Sequence, residues 1–245
     1  MTGTTTSTLL AALWATWPAA TMTQAGNFIL RTSIGGGKRV SAASLSGARV
    51  AEGNVDGAEA AMRAAGRHPL FVVTPGQDTL DADLANRGYD KVDPTVFYSA
   101  PVAQLANTVT PRLSTYDIWP PLRIMVDLWA KGGVGPDRVA VMARAAGPKT
   151  AIFARDRDQP AGVGFVAAHD RVAMLHALEI APDHRRRGLG KVLIAHAASW
   201  ARSQGCTDLA LAVTEANHGA RCLYDQLGMT QHAGYHYRLG PDARW

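Results

Sequence analysis

The feature that most restricts the fold is a change of hydrophobic period across a basic, glycine-containing hexapeptide. Residues 161–168 (AGVGFVAA) and 171–180 (RVAMLHALEI) are apolar runs of strand length joined by His169-Asp170. They read as neighbouring strands with a tight turn. Pro182 ends the second. From Gly188 onward the period becomes helical, with Leu189, Val192, Leu193, Ala197 and Trp200 on one face. Gly205 stops that helix as a C-terminal cap. Between strand and helix stands Arg185-Arg186-Arg187-Gly188-Leu189-Gly190. Residues 208–214 (DLALAVT) alternate as a strand. Asn217 then opens a second helix with Ala220, Leu223, Tyr224 and Leu227 on its inner stripe, and Gly228 closes it. Tyr235, Tyr237 and Leu239 alternate along a last strand. Strand, strand, helix, strand, helix, strand is an α/β (α+β) layer arrangement, with the sheet packed against helices.

The N-terminal half carries a fainter copy of this order. Residues 27–31 form a strand. Val55, Ala58, Met62 and Ala65 mark a helix stopped by Gly66, and residues 70–74 form a buried strand. Leu80 and Leu84 lie on a helix stopped by Gly88, before a strand at residues 95–99. The segment LDADLANRGYDKVDPTVFYS matches ARCLYDQLGMTQHAGYHYRL in order and rhythm, which points to a degenerate duplication. Pro101, Pro111, Pro120 and Pro121 place the link between Ala100 and Pro121. Two domains, 1–110 and 111–245, follow from this reading.

The hexapeptide states its chemistry. Glycines let a backbone approach a ligand closely. The unpaired N–H groups at the helix start, with the positive end of the helix dipole, form an anion site. The arginines add forked donors suited to phosphate. A diphosphate-bearing ligand is the natural occupant. Two other cradles are excluded. A dinucleotide fingerprint needs GxGxxG, and only Gly188 and Gly190 stand at that spacing. Gly35-Gly36-Gly37-Lys38 continues into Arg39 and has Thr32 where a Walker loop needs its first glycine, so it reads as a turn between strands.

The formal charge of +5 suits an anionic partner. The interleaved basic and aromatic pattern of a nucleic-acid binder is missing. Cys206 and Cys222 are the two cysteines. They are too few for a disulfide framework, so a reducing cytoplasm is expected, with each thiol small and buried. Leu9 to Trp14 is an apolar run with no Lys or Arg before it, which reads as an amphipathic docking helix rather than a leader. No stretch spans a bilayer, and no histidine spacing suggests a metal site.

With these residues in place, the segment LEIAPDHRRRGLG (178–190) resembles the acetyl-CoA signature of the GNAT superfamily of N-acetyltransferases, whose core is Arg/Gln-x-x-Gly-x-Gly/Ala. A second signature, Asn217-x-x-Ala220-x-x-Leu223-Tyr224-x-x-Leu227-Gly228-Met229, follows, with Met229 where the family usually has Phe. The resemblance covers about residues 160–239. It implies the acyl-CoA N-acyltransferase fold, a mixed central sheet flanked by helices, here duplicated in tandem. The N-terminal half resembles the degenerate half of two-domain members. It has no Arg-x-x-Gly-x-Gly, so it is not expected to bind CoA.

The resemblance also implies roles. Leu178, Glu179 and Ile180 would present backbone to the pantetheine arm of acetyl-CoA. The diphosphate would sit on the amides of Arg186, Arg187, Gly188, Leu189, Gly190 and Lys191, with Arg185 opening the cradle. Asn217 would contact the cofactor arm, and Asn also suits a helix N-cap. Tyr224 would donate a proton to the leaving thiolate, a task that suits a phenol. Some relatives carry a basic Glu where Ala212 stands here, so that role does not transfer. Glu179 is then a candidate base, because a carboxylate inside an apolar strand needs an explanation. His176 is a second candidate, placed by strand alternation on the opposite face. A water chain is the third. Transfer would be direct, with a backbone amide near Ile180 polarising the carbonyl. Cys222 is expected to be inert.

The expected activity is acetylation of a primary amine on a small or amino-acid-like molecule. Acetylation of a protein N-terminus or lysine is one alternative, and a non-catalytic CoA-binding regulator is another. The expected partner is the amine, with no nucleic acid and no membrane, and homodimerisation stays open.

Overall fold

A computed structural model describes residues 4–46, 55–106 and 115–243. In chain order the elements are α1 (Thr6–Thr16), β1 (Thr21–Ala25), β2 (Phe28–Thr32), β3 (Ala43–Leu45), α2 (Val55–Ala64), β4 (Leu70–Val73), α3 (Asp78–Asn86), β5 (Asp90–Pro101) and α4 (Val102–Ala106). There follow β6 (Thr115–Ile118), α5 (Arg123–Lys131), α6 (Pro136–Arg144), β7 (Lys149–Asp156), β8 (Gln159–His169), β9 (Val172–Ile180), α7 (Leu189–Ser203), β10 (Asp208–Thr214), α8 (His218–Gln226) and β11 (Thr230–Leu239). Part of the sequence-expected link, residues 107–114, lies outside the described residues.

The chain packs into two units, each assembled from several segments of the chain. The larger holds Met1–Pro18, Phe97–Val213 and Asn217–His232, and the smaller holds Ala19–Val96, Thr214–Ala216 and Ala233–Trp245.

In the larger unit the strand order is β5-β10-β9-β8-β7-β6. β6 through β9 are antiparallel neighbours, and β9 pairs parallel with β10. A parallel pair needs a crossover, and α7 supplies it. Helices cover both faces. A Cβ on Gly162 would meet Leu193 of α7 at 3.0 Å. Phe165, three residues on and so on the other face of β8, packs against Trp17 just after α1 at 6.3 Å. The N-terminal apolar run is a docking helix, as its sequence suggested. Thr5 caps α1 by accepting from the Thr8 N–H, and Leu9, Ala12 and Leu13 are buried.

The burial stripe of α7 differs from expectation. Val192 and Trp200 are half-buried, while Ile194, Ala195 and Ala198 are buried. The reason is that α4 packs along α7 while β7, β8 and β9 support it as well, so the covered arc is wider than one stripe.

In the smaller unit the order is β1-β2-β3-β4-β11, with β3 and β4 parallel and joined through α2. The other pairs are antiparallel. Phe28, Phe71 and Tyr89 stack edge to face in its core, beside Val55, Ala58, Met62, Leu80 and Leu84. Gly35, Gly36 and Gly37 all have positive φ and lead into a short 3₁₀ turn, Lys38–Val40, that connects β2 to β3.

The two repeats seen in the sequence are both present, and each ends in the other's unit. β5 follows α3 in the chain, yet it is the neighbour of β10. β11 follows α8, yet it pairs antiparallel with β4, from His236↔Val73 to Leu239↔Leu70.

A carboxylate ties the exchanged strand down in the smaller unit. Asp81 on α3 accepts from His236 Nε2 at 2.6 Å and from Arg238 Nε at 2.7 Å. The Arg238 bond, with a smaller contribution from His236, holds its pKa at about 2 against an ordinary 3.8. A depressed carboxylate pKa stabilises the fold above the ordinary value, and this is lost as pH falls through the folded one. Asp81→Asn is therefore expected to be less stable than wild type near neutrality, with the gap closing between pH of about 4 and about 2. Urea midpoints across that range measure it, and a gap that persists at pH 2 counts against the assignment.

Candidate active site

β9 and β10 run paired only from Val172↔Asp208 to Leu175↔Leu211. Beyond that point β9 continues to Ile180 against β8 alone, so the two strands part where Leu178, Glu179 and Ile180 lie. All three are half-buried. The parting coincides with a β-bulge. Val163 pairs with Glu179 and Phe165 with His176, so Gly164 of β8 faces two residues of β9, Ala177 and Leu178, and Ala177 has φ +48°. Trp129 of α5 donates its indole N–H to the Ala177 carbonyl at 2.8 Å.

The bulge corrects the expectation that His176 and Glu179 occupy opposite faces. Their partners Phe165 and Val163 are two apart on a regular strand and share a face, so His176 and Glu179 share it too. His176 is nevertheless poorly placed as a base. It is buried, hydrogen-bonded through Nε2 to Thr16 Oγ1 at 2.8 Å, and packed on Trp17 at 4.9 Å.

Glu179 is seated between two elements. Its Oε1 accepts from Arg185 Nη2 at 2.9 Å. On the other side lies Gly132, at the end of α5, where a Cβ would stand 2.5 Å from the Glu179 Cδ. This wall was missed in the sequence, although Met125, Leu128 and Trp129 followed by Gly132-Gly133 have helical spacing and a stop.

After β9 the chain makes a short 3₁₀ turn, Pro182–His184. Arg186 has φ +60°, and Gly188 has φ +83° at the start of α7. Gly188 provides no side-chain cap, and the first helical bond is Val192 N–H to Gly188 O at 3.2 Å. The N–H groups of Leu189, Gly190 and Lys191 therefore precede the helical ladder. A Cβ on Gly188 would meet nothing within 4 Å, so this end of the helix opens on space. Free donors, a helix N-terminus and room in front of it fit a diphosphate.

The three arginines are not equivalent. Arg185 is held by Glu179 and also donates Nε to the Ile180 carbonyl at 3.0 Å. Arg187 donates to Asp156 at 3.0 Å, and the same carboxylate oxygen lies 2.9 Å from His184 Nδ1. These hydrogen bonds, His184 first, keep Asp156 below the usual carboxylate range. Arg186 is exposed.

Glycine also brings α8 close. A Cβ on Gly190 would stand 2.8 Å from Leu223 Cδ2, so the first turn of α7 lies against α8 beside Tyr224. Asn217 caps α8, its Oδ1 accepting from Ala220 N–H at 3.1 Å. Tyr224 is the buried member of the expected stripe, while Ala220, Leu223 and Leu227 are half-buried. Its ring packs on Tyr98 of β5 at 5.3 Å. Burial, with Tyr98 adding to it, pushes the Tyr224 pKa up to about 12. Tyr98 itself is buried and donates to Gln231 Oε1 at 3.0 Å. The sequence placed Tyr98 in a strand without giving it a task. Cys206 is buried, as expected for a structural thiol, but Cys222 is exposed, because its position on α8 faces away from the sheet-side stripe.

Comparison with known proteins gives one consistent answer. Residues 119–229 match the model of the Acetyltransferase (GNAT) family. An "Uncharacterized N-acetyltransferase YobR" of Bacillus subtilis (strain 168) is 26% identical over 234 residues, 92% of this chain and 94% of that protein. A streptothricin acetyltransferase of Streptomyces lavendulae is 40% identical over 68 residues, 28% of this chain and 35% of that protein. Among solved structures, a GCN5-related N-acetyltransferase from Kribbella flavida superposes with a TM-score of 0.70 at 19% identity, covering 97% of this chain and 95% of its own. The matches to the Bacillus and Kribbella proteins span both repeats.

Proposed function

We propose that this chain, whose residues 119–229 match the GNAT acetyltransferase family model, transfers acetyl from acetyl-CoA to a primary amine of a small molecule by direct attack. The observation that carries this reading is the juxtaposition at α7. An open anion cradle at its first turn lies against the helix that bears a buried phenol. The local likeness to a streptothricin acetyltransferase supports a small-molecule acceptor.

In this reading the N–H groups of Leu189, Gly190 and Lys191, with Arg186, hold the diphosphate. Leu178 and Ile180 line the parted strand end where the pantetheine arm lies, and a backbone amide near Ile180 polarises the acetyl carbonyl. Asn217 caps α8 and stands at the cofactor arm. Glu179 takes a proton from the ammonium. The free amine forms the C–N bond, and the C–S bond breaks with its electron pair on sulfur. Tyr224 protonates that thiolate and regains a proton from the new amide nitrogen. No enzyme nucleophile is needed, so Cys222 has no part.

Isothermal titration with acetyl-CoA tests the first half and is expected to give micromolar binding. Release of free thiol across a panel of small amines tests the second. No binding at millimolar acetyl-CoA would overturn the reading.

A further inference from the structure

One guanidinium here has two claims on it. Arg185 opens the basic run that forms the cradle, yet it is folded back along β9, with Nη2 on Glu179 Oε1 at 2.9 Å and Nε on the Ile180 carbonyl at 3.0 Å. Arg187 is similarly engaged, by Asp156. The Arg185 side chain is 57% exposed, so it is free to swing, whereas that of Glu179 is 21% exposed. The carboxylate is wedged. A Cβ on Gly132 would be 2.7 Å from its second oxygen. The two partners are therefore unequally placed, one largely exposed and one half-buried beside the end of α5. A diphosphate offers the guanidinium a doubly charged, multidentate partner in place of a single carboxylate.

We infer that Arg185 is a latch. It covers Glu179 while no acyl donor is bound, and it passes to the donor's diphosphate when one arrives, leaving the Glu179 carboxylate to receive the ammonium of the acceptor. This rests on the acetyl-CoA reading above. Glu179 then competes with the donor for one cation, and by reciprocity the donor weakens the Arg185–Glu179 pair by the same factor with which that pair weakens the donor. The arrangement keeps the base occupied by a protein cation until there is an acetyl group to transfer. Arg185 is a positioning residue in this scheme, since it acts on the acceptor through Glu179.

The test is a binding cycle read by calorimetric titration with acetyl-CoA, which needs no knowledge of the acceptor. Four proteins are compared at fixed ionic strength: wild type, Glu179→Gln, Arg185→Gln and the double variant. Glu179→Gln should bind acetyl-CoA about 2- to 5-fold more tightly than wild type, the range for a partly exposed ion pair. Arg185→Gln should bind more weakly. Adding Glu179→Gln to Arg185→Gln should then change nothing, because there is no longer a guanidinium to release. Gly132→Ala is an independent way to unseat the carboxylate, and it should tighten binding with both charges still in place. Equal tightening by Glu179→Gln with and without Arg185 would mean simple charge repulsion and would overturn the latch. So would wild-type affinity in Glu179→Gln or in Gly132→Ala. Failure of the wild type to bind acetyl-CoA is a different result, which overturns the parent reading instead.

Discussion

Tyr224→Phe is expected to lower kcat by about 10²- to 10⁴-fold, the scale of a lost general acid, and to leave the affinity for acetyl-CoA nearly unchanged. The substitution is clean because the ring stays. It is buried and packed on Tyr98, and Phe fills the same space with the same contact. Among the described residues the hydroxyl makes no hydrogen bond to the protein, so its removal orphans no buried partner and thermal stability should hold. The sign of the pH dependence follows from a pKa of about 12. The phenol is protonated from neutrality to pH of about 10, so it is ready to donate there, and Tyr224 should contribute no fall in rate over that range. Steady-state kinetics and a melting curve on the same preparation measure both halves. Full kcat in Tyr224→Phe would place the proton donor elsewhere.

The second large effect is expected at the cradle. Gly188→Trp should raise the dissociation constant for acetyl-CoA by about 100-fold or more, equivalent to about 2.7 kcal/mol. Gly188 sits at φ +83° and ψ −3°, and a Cβ there points into open space rather than at a neighbour. An indole in that position stands before the N–H groups of Leu189, Gly190 and Lys191, where an anion must come. The left-handed backbone adds a strain of about 1–2 kcal/mol, which lowers the melting temperature by several degrees without unfolding the protein. Gly188→Asn separates the two causes, because Asn accepts the left-handed conformation and is short. It should keep most of the affinity. Binding by Gly188→Trp at wild-type strength would remove the diphosphate from this helix end.

The parts of the fold that were legible in the sequence are those written in local residue type. Gly188 and Gly205 bracket α7, and both have the positive φ that favours glycine. The Asn217 cap, the alternation of β10 and β11, and the helix ahead of Gly66 follow from side-chain chemistry within a few residues. What was not legible depends on partners. The bulge in β9 turns on Ala177 at φ +48°, and alanine gives no sign of a left-handed backbone. With it went the relative facing of His176 and Glu179. The seat of Glu179 against Gly132 joins positions 47 residues apart, which no periodicity can report. Between β6 and β7 the signal is local, since Met125, Leu128 and Trp129 mark the buried stripe of α5. The engagement of Arg185 with Glu179 depends on how the turn after β9 folds back, which residue type alone does not fix.

The exchange of last strands explains why a repeat without a cradle persists in this chain. Deleting the N-terminal repeat would take β5 with it and leave β10 with a bare edge, a row of unpaired N–H and C=O groups open to any extended chain. The C-terminal repeat expressed alone would meet that exposure by self-association or aggregation. The degenerate repeat is thus held in the gene by the strand it lends, whatever it binds. The two copies can drift in sequence and in chemistry, but neither can be shuffled out or inherited without the other.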